Sequence, residues 1–167
     1  MIKLNIIIVN WNSGNQLEKC LKSIEKSKKD NFILKEIIIV DNASKDNSLE
    51  NIKNISLPIK EIRNKENYGF AKACNIGAKE SNGDLLLFLN PDMIIFDNTF
   101  INLFNYLNKN DMPEIGIYGI QLLDENKNIQ KSCARFPNLW NLIIRSLGLD
   151  TINSRFFKSF RMDEWEH

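Results

Sequence analysis

Three short, unbroken apolar runs, residues 6–9, 37–40 and 85–89, each stop abruptly at a polar, oxygen-bearing turn. Continuous rather than alternating hydrophobicity marks strands buried on both faces, as in parallel sheets covered by helices. With their flanks the runs predict strands over Lys3–Asn10, Ile33–Asp41 and residues 84–89, the last expected to be the most fully buried. A shorter strand is expected over Ile59–Arg63. Leu17, Leu21 and Ile24 recur at helical spacing within residues 15–28 and give that helix one buried face. Residues 70–81 read as a second helix, followed by the turn Asn82-Gly83. Ser44 and Asp46 can cap a short helix through Ile52. Strand alternating with helix in this way predicts an α/β fold with a mostly parallel central sheet and flanking helices. Right-handed crossovers then bring the strand C-termini to one edge, where ligands bind. The turns WNSG, DNAS and NPD all follow their strands, so all three are expected to line one crevice.

Beyond the sheet, residues 98–108 carry Phe100, Leu103, Phe104 and Leu107 as the buried stripe of a third helix. Residues 115–123 and 129–135 flank the polar DENKN and read as a small β-hairpin. Pro137 opens a last segment, residues 138–167, set apart from a core of residues 1–137. There Trp140, Leu142, Ile143, Leu147, Phe156 and Phe160 sit among Arg145, Arg155, Lys158 and Arg161. Such a basic, aromatic segment can lie in a membrane interface or pack against further protein. Left exposed, it can pair two copies into a homodimer.

Composition removes several classes of function. Lys plus Arg number 22 against 21 for Asp plus Glu, so no global field recruits nucleic acid. The single histidine, His167, argues against Ser-His-Asp and Cys-His catalysis and against histidine-based zinc sites. Cys20, Cys74 and Cys133 lack the spacing of a zinc or disulfide framework and read as apolar residues of a reducing compartment. No apolar run approaches the roughly 20 residues that span a bilayer, and residues 1–9 lack a cleavage-like site. The expected location is the cytoplasm, with the inner face of the membrane as a further option.

Three clusters carry chemistry. Asp41 and Asn42 end a buried strand, where a carboxylate can accept from a base N–H or a ribose hydroxyl, or cap the following helix. Asn90-Pro91-Asp92 ends another; proline rigidifies the turn, and Asp92 can give a divalent cation a hard oxygen ligand. Asn67-Tyr68-Gly69-Phe70, with Asn75 and Gly77, opens a helix whose N-terminus favours negative charge, although Asn67 can equally be a cap. This is neither GxGxxG nor a phosphate-binding loop with Gly-Lys-Ser/Thr.

In this order the clusters resemble the family 2 glycosyltransferases of GT-A type, most closely the bacterial rhamnosyltransferase-like members. The matching stretches are IIIVNWNSG, VDNASKDNS, NYGFAKACNIGAKESNGD and LLLFLNPDM, followed by GIQLLDENKNIQKSCARFPNLW. The resemblance implies that Val9, Asn10, Asp41 and Asn42 surround the nucleotide base and ribose. It implies that Asn67, Gly69 and Asn75 line the nucleotide-sugar pocket. Asn90 and Asp92 stand where the family has its Asp-x-Asp metal motif, which leaves Asp92 as the expected ligand of Mg²⁺ or Mn²⁺. A UDP- or dTDP-linked donor and a saccharide or lipid-linked acceptor are the implied partners.

Members of that family are usually longer, and their second half brings the acceptor site and an Asp or Glu as catalytic base. The base is therefore expected beyond His167; Asp163, Glu164 and Glu166 are substitutes on a terminus that frays. The alternative is a non-catalytic nucleotide-sugar-binding or scaffold domain. A dinucleotide fold and a nucleotidyltransferase are disfavoured, because the glycine-rich turn each needs after the first strand is missing.

Overall fold

The computed structural model describes residues 1–109, 116–130 and 138–147. Two compact units divide the chain, Met1–Asp111 and Met112–His167. The first unit runs β1 (Lys3–Asn10), α1 (Gln16–Lys26), β2 (Ile33–Asp41), β3 (Ile59–Arg63), α2 (Phe70–Lys79), β4 (Leu85–Leu89) and α3 (Thr99–Lys109). Its strands form one parallel sheet in the order β3-β2-β1-β4. The α/β class and the parallel sheet are as the apolar runs predicted.

Each face of the sheet has its own core. On one, Leu4, Ile6 and Ile8 of β1 and Ile37 and Ile39 of β2 pack with Leu17, Cys20, Leu21 and Ile24 of α1. Phe100 and Phe104 of α3 complete it, with the Phe32 ring stacked on Phe104 at a centroid distance of 4.3 Å. On the other face, Ile7, Val9, Ile38 and Val40 meet Ala73 of α2. Gly77 brings α2 close to the sheet, because a Cβ there would lie 2.6 Å from Ile7 Cγ2 and 3.1 Å from Val40 Cγ2. Both contacts are stiff, β-branched side chains in a packed core. Gly77→Val should therefore destabilise the unit by about 1–3 kcal/mol, read as a lower denaturant midpoint with an unchanged slope. An unshifted midpoint would show that the helix does not sit this close.

Three expectations need correction. The short helix from Ser44 to Ile52 is instead a run of turns, closed by bonds such as Glu50 N–H to Asn47 O at 3.0 Å. Of its would-be capping groups, Ser44 Oγ and Asp46 Oδ2 are taken by the loop after β1, while Asp46 Oδ1 still accepts the Ser48 N–H at 3.2 Å. β4 is not fully buried: Leu85, Leu87 and Leu89 face the α1 core, but Leu86 is 39% and Phe88 49% exposed. Among the described residues β4 pairs only with β1 and lies at the sheet edge. The hairpin is reduced, among the described residues, to one antiparallel bridge between Leu123 and Ile129. Asp124 holds its tip, accepting from the backbone N–H groups of Asn126 at 2.9 Å and Asn128 at 2.8 Å. Residue 115 and residues 131–135 of the expected hairpin lie outside the described residues.

The second unit also carries α4 (Leu139–Ser146), with Leu139, Trp140 and Ile143 exposed. Residues 148–167, including Asp163, Glu164 and Glu166, lie outside the described residues. No described helix is long and apolar enough to cross a membrane.

Candidate functional site

Strand order decides where a ligand can sit. The chain steps outward from β1 to β2 to β3 and then returns to the far side of β1 for β4. The strand order thus reverses at β1, and in open α/β sheets the loops leaving the two strands at such a point, here β1 and β4, flank the ligand crevice at the C-terminal edge. Those loops are the ones that carry Trp11–Gly14 and Asn90–Asp92.

At the β1–β2 side of the crevice lies a buried polar network. Asn10 and Asp41 are register partners at the strand ends, and they are 0% and 4% exposed. The Asn10 amide nitrogen lies 2.7 Å from Asp41 Oδ1, 2.8 Å from Ser48 Oγ and 3.1 Å from Ser44 Oγ. An amide has two hydrogens, so Asn10 serves two of these three acceptors at a time. Its oxygen accepts from the Ser13 hydroxyl. Both hydrogens of the Asn10 amide are thus taken within the protein, while its oxygen, with one donor among the described residues, keeps a lone pair. Asp41 Oδ1 also accepts from the Ser44 hydroxyl at 2.6 Å, while among the described residues Oδ2 accepts only the Ser44 N–H at 3.0 Å. A carboxylate oxygen has two lone pairs, so Oδ2 keeps capacity for one more donor.

The loops after β1 and β2 are tied together. Asn12 N–H donates to Ser44 Oγ at 3.0 Å, and Asn12 Oδ1 accepts from Lys45 N–H at 2.8 Å. Gly14 N–H donates to Asp46 Oδ2 at 2.7 Å, and the Ser48 hydroxyl to Asp46 Oδ1 at 2.6 Å. Asn12 and Ala43 both hold positive φ, 50° and 59°. Asparagine tolerates that region; alanine does so only at a cost of order 1 kcal/mol, which the surrounding bonds offset. Burial pushes the Asp46 carboxyl up, but bonds from the Ser48 hydroxyl and the Gly14 and Ser48 N–H groups outweigh it and hold the group below its usual range. A lowered folded-state value means this tie is fully present above the ordinary 3.8 and is lost as the pH falls through the folded value. Acid titration followed by Trp11 fluorescence should show the loop loosening below the ordinary carboxylate range, and Asp46→Asn should show it loosened at neutral pH.

Asn42 stitches the third cluster to this network. Its N–H donates to Asn10 O at 2.8 Å, its amide nitrogen to Gly69 O at 3.3 Å, and its Oδ1 accepts from Asn64 at 2.8 Å. Gly69 stands before α2 with φ 78° and ψ 167°, a conformation that suits glycine. Asn67 Oδ1 accepts from Gly69 N–H at 2.8 Å and so shapes that turn. Val9 packs into the α2 core. Asn75 is exposed on α2, with no contact that joins it to the network. The structure therefore gathers Asn10, Asp41, Asn42 and Gly69, gives Ser13 and Ser44 of the WNSG and DNAS turns a bonding role there, and adds Asp46 and Ser48.

Across the crevice, the Asn90 carbonyl accepts from Met93 N–H at 3.2 Å, which makes Asn90–Met93 a tight turn. Cys20 of α1 points at the same carbonyl, its sulfur 3.8 Å away. Burial, and then the nearby Asp92 carboxylate, push the Cys20 thiol up to about 12. Asp92 itself is exposed and has no hydrogen-bond partner among the described residues. Among those residues no group of three or more His, Cys, Asp or Glu converges. A single free carboxylate still suits Mg²⁺ or Mn²⁺, which commonly takes one or two protein carboxylates and completes its shell with phosphate oxygens and water. Cys20 and Cys74 are free thiols.

Known proteins agree with this geometry. A glycosyltransferase of Haemophilus influenzae, itself uncharacterised, is 32% identical over 126 residues, covering 75% of this chain and 36% of that protein. The poly(ribitol-phosphate) beta-N-acetylglucosaminyltransferase TarP of Staphylococcus aureus is 29% identical, over 72% of this chain and 38% of its own. Among solved structures, residues 1–349 of S. aureus TarS superpose with a TM-score of 0.56 at 25% identity, covering 65% of this chain and 33% of that one. The mannosyltransferase PcManGT of Pyrobaculum calidifontis, in complex with GDP-Man and Mn²⁺, shares the fold with a TM-score of 0.56 at 20% identity, over 62% of this chain and 32% of its own. The chain thus spans little more than a third of the length of these two relatives. The family model for glycosyl transferase family 2 matches residues 5–158. With its parallel sheet and reversed strand order, the chain belongs to glycosyl transferase family 2 and has the GT-A fold.

Proposed function

We propose that this chain supplies the donor-binding part of an inverting glycosyltransferase, which moves a sugar from a nucleoside diphosphate to an acceptor hydroxyl in surface polysaccharide synthesis. The observation that carries this reading is the spare capacity that Asp41 Oδ2 has, among the described residues, within a buried network beside the strand-order reversal. A buried acceptor held this rigidly is preorganised for one donor, such as a base N–H or a ribose hydroxyl. Asn10, Ser44 and Ser48 act as positioning residues for it. Gly69, without a side chain, lets a ligand approach the turn before α2.

Asp92 would hold a divalent cation together with the diphosphate. When bound, such a cation neutralises charge that develops on the departing nucleoside diphosphate. In the reaction the acceptor oxygen bonds to the anomeric carbon while the bond from that carbon to the diphosphate breaks, and a carboxylate base takes the acceptor proton. That base is proposed to lie outside the described residues. The donor is proposed to be linked to UDP or dTDP; the TarS neighbour, in complex with UDP-GlcNAc, favours UDP among the first compounds to try. Rhamnose is the sugar that the sequence resemblance suggests. Transfer is proposed to occur on the cytoplasmic side of the membrane.

The test is a thermal-shift panel of UDP, dTDP and their sugars, with and without Mn²⁺. A ligand that binds the native state alone raises the melting temperature, by about 2.7 kcal/mol of stabilisation at a hundred times Kd. A metal-dependent rise with one of these compounds supports the reading. Equal rises with NAD, or none with any compound, overturn it. Binding without sugar transfer by the longest natural form would identify a donor-binding scaffold instead.

A further inference from the structure

A second surface of the first unit lies away from this network. After β4 the chain runs along α1 and is fastened to it at three levels. Cys20 Sγ lies 3.8 Å from Asn90 O, Ile95 N–H donates to Ser23 Oγ at 2.9 Å, and Lys28 N–H donates to Asp97 O at 3.0 Å. Helix and segment enclose an open groove of about 680 Å³, walled by Lys19, Lys22 and Lys26 on one side and Ile94 and Phe96 on the other.

Spacings of three and four residues place the three lysines in one stripe of α1. Lys22 pairs with Glu18 at 2.6 Å, but Lys19 and Lys26 have no ion-pair partner among the described residues. Asp97 is the one carboxylate among the described residues that line the groove, with Glu18 beside it on Lys22. Facing the stripe, Ile94 is 54% and Phe96 46% exposed, although both are large and apolar. The whole chain has a net charge of only +1, so this concentration of cations is local.

We propose that this groove docks on the surface of an anionic lipid bilayer. Lys19 and Lys26 would meet headgroup phosphates while Ile94 and Phe96 enter the boundary with the acyl chains. A basic stripe beside exposed apolar side chains is the pairing that an interfacial surface needs. A small free anion would use the lysines but would leave Ile94 and Phe96 in water.

The experiment is co-sedimentation of the full chain with vesicles of equal parts phosphatidylcholine and phosphatidylglycerol. The wild-type chain should bind these at low salt, should release at high salt as the Debye length shrinks, and should bind pure phosphatidylcholine far less. Each unpaired lysine should contribute about fivefold, so the double variant Lys19→Ala/Lys26→Ala should bind roughly twenty-five-fold less. Ile94→Ser/Phe96→Ser should also weaken binding, by at least about tenfold. Both variants should keep the wild-type melting temperature and its rise with nucleotide, so that loss of docking is read apart from loss of fold. Absence of wild-type binding, equal binding to neutral vesicles, or binding by the lysine variant at the wild-type level would each overturn the proposal. The last result would move any membrane contact to another part of the chain.

Discussion

Asp92→Ala should abolish the metal-dependent part of nucleotide binding while leaving the fold intact. Asp92 is exposed and makes no hydrogen bond among the described residues, so its removal orphans no protein group. Stability without ligand should stay within about 0.5 kcal/mol of wild type, as for other surface changes. The loss falls on the cation instead. Altering a residue that only orients a metal ligand costs about 10–100-fold in metal affinity, and losing the ligand itself should cost at least the upper end of that range. Titration with UDP at saturating Mn²⁺ should therefore show an affinity no better than that of wild type in chelator. Asp92→Asn should behave nearly as badly, because it keeps the shape but loses the charge. There is a second readout. Asp92 helps to push the Cys20 thiol up, so alkylation of Cys20 should become slightly easier in the variant, although burial, the larger cause, remains.

Asp41→Ala should be the opposite case, costly to both fold and binding. Its carboxylate accepts from Asn10, from the Ser44 hydroxyl and from the Ser44 N–H, in a region where Asn10 and Ser48 are fully buried. Removing the acceptor leaves buried donors unmet, at about 1–3 kcal/mol apiece. Ser44 and Ser48 can still take both Asn10 hydrogens, and water can reach the Ser44 hydroxyl and N–H, so the net cost should be about 1–3 kcal/mol. Chemical denaturation measures this directly. Asp41→Asn should not rescue, because in either orientation of its amide an NH₂ group replaces an oxygen that now accepts an N–H or O–H. If Asp41→Ala bound UDP like wild type once folded at low temperature, Asp41 would be purely structural.

These two carboxylates show what the sequence could and could not say. The strands β1 and β2 were legible because unbroken β-branched runs have few other uses in a chain of this size. The helices α1, α2 and α3 begin and end within two residues of the expected bounds, since apolar spacing is a local signal. The polar turns were legible as a group for the same reason: each follows a strand that points to one edge. What failed depended on residues far apart in sequence. Ser44 and Asp46 have the chemistry of helix caps, yet Asn10, Asn12 and Gly14 recruit them across more than thirty positions, and the helix gives way to turns. Asn10 looked like a ligand contact because it ends a strand beside the crevice. Its partners Asp41, Ser44 and Ser48 compete for its amide hydrogens, so it also positions Asp41, a role that only the paired strand ends disclose. The positive φ of Asn12 could have been suspected from the residue type, whereas that of Ala43 could not. Leu86 and Phe88 read as buried because their run is continuous, but burial of a strand's second face needs a helix over it. Among the described residues α2 covers that face of β1 and β2.

The most direct measurement is a crystal structure of the chain grown with UDP and Mn²⁺. The account predicts the nucleoside against Asp41 Oδ2 and the turn at Gly69, with the cation between the diphosphate and Asp92. A diphosphate bound anywhere other than the crevice where the loops of β1 and β4 part, or a cation with Asp92 turned away from it, would contradict the account.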